Sequence, residues 1–130
     1  MPASLTAIGV TSRDIPESVR FYRALGVEVA DPEGDAQHHE TTLPSGLRLM
    51  WDTLELMQQL DPEWEEPRGH RMALAFECGS PAEVDETYRR LVDEGFEGKK
   101  EPFDAFWGQR YANVVDPDGN AVDLFAPLPQ

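Results

Sequence analysis

Cysteine occurs once in this 130-residue chain, at Cys78, so no disulfide can close within it. A lone thiol suits a reducing, cytoplasmic setting. Apolar runs last only a few residues, far short of the ~20 that a membrane-spanning helix needs. The opening MPASLTAIGV has no basic region followed by an apolar stretch, so it does not read as a signal peptide. Basic residues are scarce as well: 11 Lys+Arg stand against 25 Asp+Glu, a formal net charge of −14. Such a surface disfavours nucleic acid and anionic lipid and attracts cations, although solubility alone accounts for many acidic proteins. Histidine is limited to three residues, and no Ser-His-Asp order, phosphate loop or paired-cysteine zinc motif is present.

What the chain does contain is enough apolar sequence, 40%, for the core of one compact α+β domain. LTAIGVTSRD (5–14) alternates as a strand. DIPESVRFYRALG (14–26) predicts a helix capped by Asp14, with Pro16 in its first turn, Ile15, Val19, Tyr22 and Leu25 on one face, and Gly26 ending it. Strands are expected near 27–30, 37–43 and 47–52, divided by turns at 31–35 and 44–46. Residues 53–69 start as a short helix and become an acidic, proline-containing linker. The pattern then restarts. A strand is expected at 70–78. A helix at 80–95 has Ser80 as cap and Val84, Tyr88, Leu91 and Val92 inward. The closing strands are 107–115 and 120–125.

The restart has a fixed offset. Tyr22–Leu25 and Tyr88–Leu91 lie 66 residues apart, and the same shift lays Ala7-Ile8 on Ala73-Leu74. A duplicated βαβββ unit explains both matches, with module one at 1–52, a linker at 53–69 and module two at 70–130. Each apolar sheet face would be covered by a helix, leaving the other faces to curl around a cleft.

DIPESVRFYRALGVEV after the first strand and WGQRYANVVDPDGNAVDLF near the end resemble the vicinal oxygen chelate superfamily, which includes glyoxalases, bleomycin-resistance proteins and extradiol dioxygenases. The resemblance covers nearly the whole chain. It implies two βαβββ modules forming a curled mixed sheet with helices outside, commonly in a homodimer. Family enzymes hold a divalent metal in the cleft with His, Gln or Glu from the first and last strand of each module. The corresponding positions here are Ala7, Met50, Ala73 and Asp123. Only Asp123 offers a hard donor, whereas a divalent ion needs three or four. The expectation is therefore no metal and no cofactor.

Strand alternation assigns the remaining faces. Ala73, Ala75 and Glu77 share one face, and Leu74, Phe76 and Cys78 turn to the helix, where Cys78 is expected to be buried and inert. Ala121, Asp123 and Phe125 share a face, as do Gln109, Tyr111 and Asn113. Leu47, Leu49 and Trp51 read as core, which leaves Arg48, Met50 and Asp52 for the cleft. Adjacent His38 and His39 point to opposite faces and cannot chelate one ion together. His38 with Glu40 forms a weak candidate site, and His70 ends the linker. Surface or edge placement is the plainer reading for all three histidines. The candidate ligand-binding set is Met50, Glu77, Trp107, Gln109, Tyr111, Asn113, Asp123 and Phe125, with Phe103, Phe106 and Trp64 at the rim. Core or dimer-interface packing is the plainer role for any one of these aromatics.

Three functional readings follow. The first is a metal-free binding protein similar to the drug-sequestering bleomycin-resistance branch, taking a cationic or aromatic small molecule between two subunits. The alternative is a metal-dependent lyase, isomerase or dioxygenase with a shifted site built from Asp123, Glu77 and a histidine. Metal-free acid–base chemistry at Asp123 or Glu77 is a third, with no matched partner visible in the sequence.

Overall fold

The computed structural model describes residues 2–130, in which the chain forms three helices and seven strands. It divides into two compact units, one ending at Pro67 and the next beginning at Arg68.

The first unit holds β1 (Ala7–Ser12), α1 (Ile15–Leu25), β2 (His38–Thr42), β3 (Arg48–Thr53) and α2 (Leu54–Leu60). Its sheet order is β1-β3-β2, with β1 parallel and β2 antiparallel to β3. Helix α1 begins where Asp14 accepts the Glu17 N–H at 3.1 Å and ends at Gly26, whose φ of 120° suits glycine. Ile15, Val19, Tyr22 and Leu25 are buried as their spacing requires, together with Leu49 and Trp51. Tyr22 meets Trp51 at 5.5 Å between ring centroids. Beneath them Ser12 and Ser18 share a buried hydrogen bond of 2.7 Å, so neither hydroxyl is orphaned.

One expected strand is missing. Residues 27–30 take no ladder of their own; side chains from β2 hold them instead, the Thr41 hydroxyl donating to Glu28 O at 2.7 Å and the His39 ring to Ala30 O at 2.8 Å. The first unit is thus a βαββ arrangement followed by a short helix, and the two units contribute mixed sheets of three and four strands to the α+β fold that the resemblance implies.

The second unit holds β4 (Ala73–Glu77), α3 (Pro81–Asp93), β5 (Glu97–Ala105), β6 (Gln109–Val115) and β7 (Ala121–Pro127), in sheet order β4-β7-β6-β5. Only β4 and β7 are parallel. Ser80 caps α3 by accepting the Glu83 N–H at 3.2 Å. Val84, Thr87 and Leu91 face the sheet, where Ala112, Val114, Val122 and Leu124 are fully buried. Burying each valine or leucine contributes about 1.5–3 kcal/mol. Val92 is not on this inner face as expected. It is 41% exposed, because one further residue rotates it about 100° away from Leu91. Cys78 is half-buried rather than fully buried: it follows β4, an edge strand beside β7 on which Ala73, Ala75 and Glu77 are exposed. Burial pushes the Cys78 thiol up from its usual range, against a hydrogen bond with Thr87 that pulls it down.

The two units repeat one register. Gly9 stands beside Met50 and Ala75 beside Asp123; Glu40 faces Met50 and Asn113 faces Asp123. The α+β architecture therefore carries its internal duplication down to individual pairings.

Candidate functional site

DPDGN sets the position of the central acid. Asp116 is 3% exposed, and its carboxylate accepts Asp118 N–H at 2.9 Å, Asn120 N–H at 2.8 Å and the Asn120 amide at 2.9 Å. Gly119 closes the turn with φ 89°. The turn fixes the antiparallel register of β6 and β7, which brings Asn113 opposite Asp123 and Tyr111 opposite Phe125. Both Asp123 and Asn113 lie on the face away from α3, since Val122, Leu124, Ala112 and Val114 fill the other.

Asp123 is held by two donors. The Tyr111 hydroxyl donates to Oδ1 at 2.8 Å, and the Asn113 amide donates to the same oxygen at 2.6 Å. The amide also reaches Val122 O at 3.3 Å. Oδ2 takes no hydrogen bond from any described residue. Burial and the neighbouring Asp123 carboxylate push the Tyr111 phenol up to about 12, so it remains a donor across the ordinary pH range.

An aromatic cluster lies beside this acid. Tyr111 is 5.8 Å from Phe103 and 5.5 Å from Trp107, and Trp107 is 5.0 Å from Phe106, all in steep edge-to-face contacts. Trp107 donates its indole N–H to Gln109 Oε1 at 2.8 Å. Phe106 is 96% exposed and Trp107 49%, which is unusual for such large apolar groups. Lys100 places its ammonium over the Phe103 ring at 5.0 Å.

Six of the eight residues singled out from sequence meet here: Trp107, Gln109, Tyr111, Asn113 and Asp123, with Phe125 as the cross-strand neighbour of Tyr111. Glu77 stands opposite Phe125 on β4 and is exposed. Met50 belongs to the first unit, between Gly9 and Glu40. Lys100 was not singled out, because its seat depends on the irregular β5–β6 register, which no local pattern announces.

The first unit has a polar cluster of its own. His38 and His39 do face opposite ways. His39 stacks on Trp51 at 6.3 Å, while His38 shares 2.6 Å with Asp52 through Nδ1 and 2.8 Å with Glu40 through Nε2. Arg48 donates to Glu40 at 3.1 Å. Asp52, then Glu40, hold the His38 pKa above the usual imidazole value. Strand alternation puts Asp52 on this face, but its pairing with His38 depends on the β2–β3 register. His70, in the connector, is exposed.

The donor set does not fit the divalent ion that the resemblance implies. Ala7 stands opposite Arg48 and Ala73 opposite Ala121, while Gly9 and Ala75 flank Met50 and Asp123; none of these four supplies a side-chain donor. Oδ1 of Asp123 is already committed to two donors. The two nitrogens of His38 point in opposite directions, each to its own carboxylate, so this cluster does not converge on one ion either. Among the described residues no three His, Cys, Asp or Glu side chains are placed to hold a metal.

The chain matches the sequence profile described as the Glyoxalase/Bleomycin resistance protein/Dioxygenase superfamily over residues 4–124. It is similar to the crystal structure of a glyoxalase/bleomycin resistance protein/dioxygenase from Nocardioides, with 27% identity, a TM-score of 0.75, and coverage of 98% of this chain and 85% of that one. A protein of unknown function from Agrobacterium tumefaciens is 25% identical, with a TM-score of 0.72 over 98% and 97% of the two chains. A family enzyme from Burkholderia phytofirmans has a TM-score of 0.82 at 18% identity, covering 97% of this chain and 100% of its own, which is a likeness of fold. No curated protein matches the chain.

Proposed function

The chain belongs to the glyoxalase/bleomycin resistance protein/dioxygenase superfamily, and from that premise we propose that it binds a small cationic or aromatic molecule without a metal, in the manner of the drug-sequestering bleomycin-resistance branch. The observation that carries this reading is the Asp123 carboxylate, fixed by Tyr111 and Asn113, with Oδ2 left unpartnered beside a cluster of four aromatic rings. Apolar rings supply contact area and a few fixed polar groups set orientation, which is the usual composition of a small-molecule site. The net charge of −14 favours a cationic ligand before contact is made.

The alternative of a shifted metal site draws no support from the candidate donors. Glu77 stands beside Phe125 rather than Asp123, and His38 is engaged at both nitrogens.

Tryptophan fluorescence tests the proposal. Trp51 is fully buried, whereas Trp107 is half exposed, so a ligand on this face quenches Trp107. Titration with a panel of aromatic amines and cationic glycopeptides should quench the wild type and leave the Trp107→Phe variant nearly unchanged. Absence of binding to any member at micromolar to low-millimolar concentration contradicts the reading.

A further inference from the structure

Resting on that reading, we infer that the site selects an N–H-bearing cation: a protonated primary or secondary amine joined by a short linker to a flat ring, in preference to a quaternary ammonium. Strand pairing lays two rows across the second sheet. One row runs Ala75, Asp123, Asn113, Lys100, and the next runs Glu77, Phe125, Tyr111, Phe103. Successive same-face positions along a strand lie about 7 Å apart. The carboxylate and the aromatic strip are therefore separated by the span of a short aryl-alkyl amine.

The chemistry of each row decides the kind of cation. Oδ1 of Asp123 is filled by the Tyr111 hydroxyl and the Asn113 amide, which fix the plane of the carboxylate. Oδ2 keeps its lone pairs and forms no ion pair with any described residue, and the cross-strand partner of Asp123 on β4, Ala75, has no polar side chain. A lone pair held in a fixed direction asks for a donor N–H, and charge-assisted N–H···O bonds are the stronger class. A quaternary ammonium has no such hydrogen and binds instead against aromatic faces. Here the seat over Phe103 is already taken by Lys100. The remaining rings meet edge to face at 73–90° and do not enclose a cage.

The test compares three probes that share one ring: 2-phenylethylamine, its N,N,N-trimethyl analogue and 2-phenylethanol. Binding to the full chain is followed by calorimetry and by Trp107 fluorescence. The expected order is the amine tightest, exceeding both others by at least about tenfold. Asp123→Asn should remove that preference and leave the weaker, ring-driven affinity common to all three. Equal affinity of the amine and the trimethyl analogue for the wild type overturns the inference while leaving small-molecule binding intact. Failure of all three probes to bind overturns both. The wild-type comparison stands even if Asp123→Asn does not fold.

Discussion

At the residue scale, Asp123 is a carboxylate held by neutral donors, whereas His38 is a ring held between two carboxylates. Tyr111→Phe deletes one of two hydrogen bonds to Asp123 Oδ1. Loss of about 1.5–3 kcal/mol is expected from a bond to a charged acceptor, read from chemical denaturation midpoints. An unchanged midpoint would show that the hydroxyl does not support the acid. His38 gives a pH signature. Its pKa is raised first by Asp52 and then by Glu40, so the native state holds the proton more tightly than the unfolded chain. The associated stabilisation is full below the ordinary imidazole value of about 6.5 and fades as pH rises through the elevated native value. Glu40, lowered mainly by His38, works in the opposite sense, contributing above the usual carboxylate value and losing that contribution as pH falls through its lowered one. The cluster is therefore most stabilising between the two. NMR titration of the His38 ring should show Asp52→Asn bringing its pKa down further than Glu40→Gln does. An unmoved titration in both variants contradicts the assignment. Alternation along each strand was enough to place Asp123, Tyr111, Asn113 and His38 on their faces. It was not enough to pair them, because hydrogen-bond partners depend on cross-strand register.

At the scale of elements, the helices were the most legible parts. Asp14 and Ser80 cap as their sequences indicate, and the 3–4 spacing of α1 places every expected residue in the core. Replacing Ser80 with alanine should cost about 1 kcal/mol in thermal or chemical unfolding. The segments at 27–30, which form no strand, and 97–105, which do, are harder to read. Val27–Ala30 looks β-prone but stands where β2 offers side chains instead of a free ladder edge. Residues 97–105, EGKKEPFDA, lack clean alternation because β5 is irregular between Gly98 and Lys100 and again between Lys100 and Phe103. Gly98 is part of that irregularity. A Cβ there would run into the Tyr88 ring, so Gly98→Ala should destabilise by about 1–3 kcal/mol through forced repacking. The same substitution in a Tyr88→Ala background should cost much less. Equal costs in the two backgrounds would remove Tyr88 as the cause.

For the molecule as a whole, the sequence repeat foretold a duplicated architecture, and the matched registers of Gly9–Met50 and Ala75–Asp123 bear that out. Divergence between the units is as informative as the repeat. Where the first presents Met50 beside Glu40, the second presents Asp123 beside Asn113, so equivalent positions in the two sheets carry a thioether in one unit and a carboxylate in the other. Among the described residues, no helix is long and apolar enough to cross a membrane. The central claim is that this acid and its aromatic neighbours bind a ligand with no metal. Calorimetric titration of 2-phenylethylamine into chelator-treated protein, repeated after one equivalent of zinc, nickel or manganese is restored, tests it most directly. The account predicts the same affinity in every case. Binding that appears only after metal is returned would contradict it.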